Sequence, residues 1–320
     1  MCGIYKEDAL YRSRMRLLNV TLKNGRRRKL KSKVTDIKSK IIEILKNSNT
    51  RRYILLGVAV LCIGLMVVGA VQVIRIQLNY RQSAALYEEL TRYLCFDSVR
   101  EDGNQEGENG ENGEEEEDFE ETFTLPPDVT LPVVDFDSLR EINSNVVGWI
   151  ILEGTQINYP VVHGDTNYQY LHHLFDGTFN PSGSIFVDAY NAPGFREPNT
   201  IIYGHHMNDG QMFAALEFYR SQQFFDENPY IFLLTPERDY VIKVFSGFVA
   251  DPHQSTVSWR YRFRDEDDVA EWLTYTQGRS EVVSNMEVLP SQRFVTLSTC
   301  NFDFWDARYV VVGRLMPIAR

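Results

Sequence analysis

Cysteine is scarce in this chain of 320 residues: there are four, at positions 2, 62, 95 and 300. They form no CxxC pair and no metal-ligand spacing, so neither a disulfide scaffold nor a zinc site is expected. A disulfide between Cys95 and Cys300 stays open as an alternative. The sequence around Cys95 is typical of a mobile stalk, however, which favours a free Cys300 thiol.

Positively charged residues are scarce in most of the chain. Residues 1–52 hold 16 Lys and Arg against 4 Asp and Glu, whereas residues 53–320 hold 17 against 40. The net charge of -11 therefore averages a basic head and an acidic body. An acidic body argues against nucleic acid as a partner, because contacts with phosphates need a basic face.

Formal charge is absent from residues 53–74. Twenty-two helical residues span about 33 Å, enough for a bilayer core, so we predict a single transmembrane helix. Basic residues on its N-terminal side place the head, 1–52, in the cytoplasm and the rest outside the cell. A signal peptide is the rival interpretation, but its apolar region would be shorter and would precede a clear cleavage site.

Residues 75–135 are predicted to form a stalk. A short helix over 78–94 is followed by residues 101–121, of which 12 of 21 are acidic. Such a segment cannot bury enough apolar area to offset the entropy lost on ordering, so we expect a disordered linker. Calcium binding is the alternative, but the acidic residues lack the spacing of an EF-hand loop.

Residues 136–320 have the pattern of a folded, mainly β domain. We expect a helix capped by Asp137 or Ser138 that runs to Val146 and is broken by Gly148, and an inserted helix over 265–277 that Gly278 ends. Many short strands separated by Gly, Pro and Asn indicate a closed or nearly closed β-barrel. The predicted strands are 149–152, 157–162, 184–187, 200–203, 231–234, 240–248, 294–298 and 309–315.

Three reactive residue types occur at strand ends of this domain. Cys300 ends one strand, Arg308 opens the next, and His205 follows Gly204 after an upstream strand. A thiol, an imidazole and a guanidinium in one place indicate nucleophilic acyl chemistry. From position alone, Cys300 as a small buried hydrophobe and Arg308 as a surface arginine stay open.

These motifs resemble those of sortases, the membrane-bound cysteine transpeptidases of Gram-positive bacteria, and class B most closely. The resemblance covers about residues 136–320 and implies a sortase-like barrel with inserted and N-terminal helices. It also implies that the active histidine directly follows Tyr-Gly, as His205 does, and that His206 is a neighbour that packs or forms a hydrogen bond. The matching stretches are Val147-Gly-Trp-Ile150, Ile157-Asn-Tyr-Pro-Val-Val162, Gly183-Ser-Ile-Phe-Val-Asp188, Tyr203-Gly-His-His-Met207, Thr296-Leu-Ser-Thr-Cys300 and Arg308-Tyr-Val-Val-Val312.

The other polar residues near these motifs have less specific interpretations. A metal site at His205 and His206 is disfavoured because adjacent histidines on extended backbone point apart. His172 and His173 fit a helix surface better than a site. In the loop before Arg308, Asp303 and Asp306 either orient His205, pair with Arg308 or are simply solvated.

The resemblance implies the following function. Cys300, as a thiolate beside protonated His205, cleaves a C-terminal sorting motif of a secreted protein and forms a thioester. An amine of a peptidoglycan peptide, or a pilin lysine, then resolves it. Arg308 stabilises the oxyanion, Ser298 and Thr299 bind substrate, and no cofactor or metal is needed. The alternatives are a membrane-anchored cysteine peptidase, which uses water, and a non-catalytic wall-binding module.

Overall fold

The structure is a computed structural model that describes residues 33, 35–39, 48–96, 121–127, 129–300 and 306–319. The chain divides into two compact units, residues 1–75 and 76–320. Most of the predicted basic head and nearly all of the acidic linker lie outside the described residues, as does Asp303.

Helices occur in both units. Besides the helical residues 33 and 35–39, the described part of the chain has the α-helices α1 (Ser48–Leu90), α2 (Phe136–Ile142), α3 (Gln222–Glu227) and α4 (Glu266–Arg279), with 3-10 helices at Thr91–Tyr93, Ala214–Arg220 and Val257–Trp259. Among the described residues, one helix, Arg51–Tyr93, is long and apolar enough to cross a membrane, judged by length and composition. Its large apolar side chains between Tyr53 and Leu78 are exposed.

Eight strands close into a barrel, as the sequence predicts. The barrel strands are β3 (Val146–Ile151), β4 (Asn158–His163), β5 (Ile185–Val187), β6 (Asn199–Tyr203), β7 (Tyr230–Leu234), β8 (Asp239–Ala250), β9 (Arg293–Cys300) and β10 (Arg308–Pro317), while β1 (Leu94–Cys95) and β2 (Val133–Val134) pair separately. The predicted closed barrel and its inserted helix are therefore confirmed. The strand order around the barrel is β10-β8-β7-β3-β4-β5-β6-β9, and β4–β5 and β6–β9 are the parallel pairs.

The strands nearest the predicted site are buried on both faces. Val295 and Leu297 of β9 join the main core, whereas Phe294 lies in a second apolar cluster with Trp272 of α4. A strand covered on both faces needs apolar residues at almost every position. This explains the apolar run at residues 309–312 of β10. In β9 the buried polar side chains of Thr296 and Ser298 are instead hydrogen-bonded, to Asn199 and to Trp259.

Three predicted helix boundaries were wrong, because α2 begins earlier and ends at Ile142, not Val146, and α4 ends later than expected. The side chain of Asp135, not Asp137 or Ser138, caps α2 by accepting a hydrogen bond from the Ser138 N–H at 3.0 Å. Gly148 lies inside β3, where an added Cβ would be 3.0 Å from the carbonyl oxygen of Leu234 on β7, so close strand approach explains it. Gly278 lies within α4, which ends at Arg279.

The last part of α1, from residue 76, packs on the barrel domain. Ser83 donates a hydrogen bond to Oε1 of Gln211 at 2.7 Å, and Tyr87 donates one to the carbonyl of Gly183 at 2.8 Å. The Tyr87 and Tyr159 rings also meet edge to face, 5.0 Å apart. Residues placed in the stalk by the sequence therefore belong to the same unit as the barrel.

We expect Tyr87→Phe to lower the free energy of unfolding of the barrel domain by about 1–3 kcal/mol, because it leaves the buried Gly183 carbonyl without this donor. Urea unfolding followed by tryptophan fluorescence measures the change. Tyr168→Phe is the matched control, since the Tyr168 side chain is 81% exposed and Tyr87 is 4% exposed. Equal stabilities of the two variants would contradict the expectation.

Candidate active site

Backbone pairing brings the three predicted residues to one end of the barrel. In the antiparallel β9–β10 ladder Arg308 is the direct partner of Cys300. In the parallel β6–β9 ladder Tyr203 is level with Ser298, and the Gly204 N–H donates to the carbonyl of Ser298 at 3.2 Å. His205 therefore leaves β6 next to the strand that ends in Cys300.

Gly204 is required by the tight packing in front of His205. A Cβ at this position would be 2.5 Å from Cδ1 of Ile185 and 2.7 Å from the ring of Phe213. The Phe213 N–H also donates to the carbonyl of His205 at 2.9 Å. The backbone that carries the histidine is therefore fixed on both sides.

The orientation of the His205 ring determines which nitrogen can exchange a proton. Nε2 lies 2.7 Å from the carbonyl oxygen of Leu171, and a carbonyl only accepts, so Nε2 carries a hydrogen and Nδ1 exchanges protons. Burial lowers the pKa of His205. The Leu171 hydrogen bond raises it less, and His172 and Arg308 lower it further through their charges. Together these effects favour the neutral form of the ring.

His172 was wrongly assigned to a helix surface by the sequence. Residues 167–171 form a turn, and the His172 ring stacks on His205 with centroids 5.7 Å apart and planes 15° apart. His173 instead contacts Phe179. No sequence signal indicates this stack, because a turn that folds back over β6 brings together two histidines far apart in the chain.

The Arg308 guanidinium is held by its own loop. Nη2 lies 2.6 Å from Oδ1 of Asp306, and Nη1 donates to the carbonyls of Asp306 and Ala307 at 3.2 and 3.3 Å. Of the three roles that the sequence left open for Asp306, the structure shows the ion pair with Arg308. His206 lies away from that loop, with Nε2 3.7 Å from Glu217.

Ser298 and Thr299, the predicted substrate-binding residues, have side chains that are almost fully buried. Ser298 accepts a hydrogen bond from Nε1 of Trp259 at 2.9 Å, which ties the segment before α4 to β9. The role of both residues in substrate binding stays a prediction, and it would involve their backbone groups.

Asp188 is a buried carboxylate that the sequence analysis did not assign to the site. Its Oδ2 accepts hydrogen bonds from the Tyr203 hydroxyl at 2.9 Å and from Asn167 at 3.1 Å, and its Oδ1 accepts from the Tyr190 N–H at 2.9 Å. Burial and the Asp188 charge raise the pKa of Tyr203, which keeps its hydroxyl a donor. The network fixes the end of β6 just before Gly204. Its signal in the sequence was the final Asp of Gly183-Ser-Ile-Phe-Val-Asp188.

Metal ligation has no candidate in the described part of the chain, where no three His, Cys, Asp or Glu side chains are grouped around one point. The cysteines Cys62 and Cys95 are free and exposed.

We expect His172→Asn to raise the pKa of His205, because the charge on His172 lowers it. NMR titration of the histidine Cε1–H signals measures both values. His173→Asn is the matched control, since the His173 ring packs on Phe179 and His173 does not contribute to the His205 shift. An unchanged or lower His205 pKa in the His172 variant would contradict this expectation.

Residues 150–316 match the model of the Sortase domain family. The chain is 36% identical over 186 residues to Sortase B of Staphylococcus aureus, which covers 58% of this chain and 75% of that protein. It is 33% identical over 183 residues to Sortase B of Listeria monocytogenes, covering 56% of this chain and 72% of that one.

Solved structures agree with these matches. A Staphylococcus aureus sortase B–substrate complex has a TM-score of 0.55 and 35% identity, covering 57% of this chain and 85% of that chain. Clostridium perfringens sortase B has a TM-score of 0.54 and 32% identity, covering 57% of this chain and 99% of that chain. With the family model matching more than half of its length, this chain belongs to the sortase family as a class B sortase, a cysteine transpeptidase.

Proposed function

We propose that this sortase cleaves the C-terminal sorting motif of secreted proteins through a Cys300 thioester and transfers the chain to an amine of the cell wall or of a pilin subunit. The observation that carries the proposal is the direct pairing of Cys300 with Arg308 on strands whose neighbour, β6, leads into His205. Nucleophile, base and cation thus come from three adjacent strands.

In the first half-reaction the Cys300 sulfur attacks the backbone carbonyl of the motif while the thiol proton moves to Nδ1 of His205. The tetrahedral oxyanion collapses, the C–N bond breaks, and Nδ1 returns the proton to the departing amine. A thioester remains. The lowered pKa of His205 supports this order of steps over the thiolate beside protonated His205 that the resemblance implies, because burial disfavours the charged ring.

In the second half-reaction the acceptor amine attacks the thioester carbonyl and its proton passes to Nδ1 of His205. The C–S bond breaks, an amide forms, and the thiolate regains the proton. Arg308 stabilises the oxyanion in both steps as a fixed cation with several N–H donors. Backbone groups of Ser298 and Thr299 hold the motif beside Cys300.

The position of the protein at the membrane follows from the length of the uncharged segment 53–74 and from the positive charge of the head, 1–52. Residues 53–74 cross the lipid bilayer once, with the basic head, 1–52, in the cytoplasm and residues 75–320 outside. Residues 75–135 carry the acidic linker, and residues 136–320 hold the catalytic site. The exposed apolar side chains of α1 support the span, and basic residues on its N-terminal side support the orientation. Donor proteins and wall amines both occur at the outer face, where an anchored enzyme meets them often.

We expect the chain from residue 76 onward, mixed with sorting-motif peptides and an amine, to produce a peptide fragment joined to that amine. Mass spectrometry with and without the amine separates transfer from hydrolysis. Cys300→Ala should lower turnover by about 10³-fold or more, because the thioester cannot form.

Starting at residue 76 keeps the contacts of Ser83 and Tyr87 with the barrel domain. Cys95→Ala is the matched control, since Cys95 is free and exposed and should be dispensable. Hydrolysis without transfer across a panel of amines would favour the peptidase alternative. Turnover that survives Cys300→Ala would contradict the proposal.

A further inference from the structure

We propose that Asp306 is a positioning residue, which holds the Arg308 guanidinium at the Cys300 end of the barrel while His253 fixes the other side of its carboxylate. This inference rests on the proposed function, since it assigns to Asp306 a role in the reaction that Arg308 assists.

The backbone of Asp306 supports a specific role for its side chain. Its φ of 63° lies in the left-handed region, which is unfavourable for a residue other than glycine. Aspartate tolerates this region better than most residues, but glycine would occupy it without the cost. A carboxylate at this turn therefore needs a compensating reason.

The ion pair itself supplies little stability. The side chains of Arg308 and Asp306 are 30% and 32% exposed, and ion pairs open to solvent contribute little to the free energy of unfolding. The ion pair therefore does not offset the unfavourable backbone conformation of Asp306. Strain that the fold does not repay is typical of functional sites, so the pair is better explained by what it does to Arg308.

The contacts of Arg308 restrict its side chain before any substrate arrives. Asp306 Oδ1 holds Nη2 at 2.6 Å, and two carbonyls of the same turn hold Nη1. An unrestrained arginine side chain loses rotamer entropy when it is fixed in one position. When the turn has already fixed the guanidinium, that cost does not fall on the transition state.

His253 connects the same carboxylate to a second loop. Its Nε2 lies 3.2 Å from Oδ2 of Asp306, and its own N–H donates to Asp251 at 2.9 Å in the turn after β8. On β10, Arg308 pairs with Cys300 on one side and with Ala250, the last residue of β8, on the other. Asp306 thus links the two loops on either side of the arginine.

A double-mutant cycle on the full chain in detergent tests the proposal, with the sorting-motif peptide and amine as substrates. Asp306→Gly removes the carboxylate and relieves the backbone. We expect kcat to fall about 10-fold with KM changed less than about 2-fold, because a misplaced Arg308 acts on the transition state. In an Arg308→Lys background the same substitution should change kcat less than about 2-fold, since lysine cannot make the forked contact.

Two further variants keep the test sharp. Asp306→Asn keeps an acceptor oxygen and tolerates the same φ, so it should recover most of the activity that Asp306→Gly loses. Glu237→Gly is the matched control, because it breaks the exposed ion pair with Arg196 and should leave kcat unchanged. Thermal midpoints of all variants exclude unfolding as the cause, and Asp306→Asn carries the test if Asp306→Gly does not fold.

Each outcome decides between specific hypotheses. A kcat that is unchanged or raised in Asp306→Gly overturns the positioning role, and so does an equal loss in the Arg308→Lys background. A wild-type chain that transfers no peptide to any amine overturns the proposed function itself, together with this role. An active wild type with an unaffected Asp306→Gly overturns only the role of Asp306.

Discussion

Everything at the candidate site depends on the register of β9 between its two neighbours. The antiparallel ladder with β10 places Arg308 opposite Cys300, and the parallel ladder with β6 places Tyr203 level with Ser298. A slip of one residue in either ladder would move its side chains to the other face and separate the three groups. The register is secured because both faces of β9 are buried, one in the main core and one under α4.

Much of this arrangement could be predicted from the sequence, because it follows from where strands end. Runs of β-branched residues indicated the strands, and Cys300, Arg308 and Gly204-His205 stood at their termini. The local chemistry of a strand end is visible in one short stretch. The same holds for the inserted helix, whose acidic first turn and apolar face marked α4 to within two residues at either end.

Contacts between distant segments were not predictable in this way. The His172–His205 stack, the Asp188–Tyr203 hydrogen bond and the contacts of Tyr87 each need the tertiary path of a loop or a helix. Gly148 and Gly278 were misread for a related reason. Glycine was taken as a local helix breaker, whereas close packing against β7 explains the first and α4 simply continues through the second.

The parallel pairing of β6 with β9 has a consequence for how this molecule acquires its reactivity. Asn199 pairs with Phe294, so forming this ladder closes a loop of almost a hundred residues. Pairings so far apart in sequence form slowly, because the loop-closure entropy is lost before the contacts reward it. The thiol, the imidazole and the guanidinium are therefore not held together in the unfolded chain and come together only when the barrel closes. The complete reactive site therefore exists only in the closed barrel.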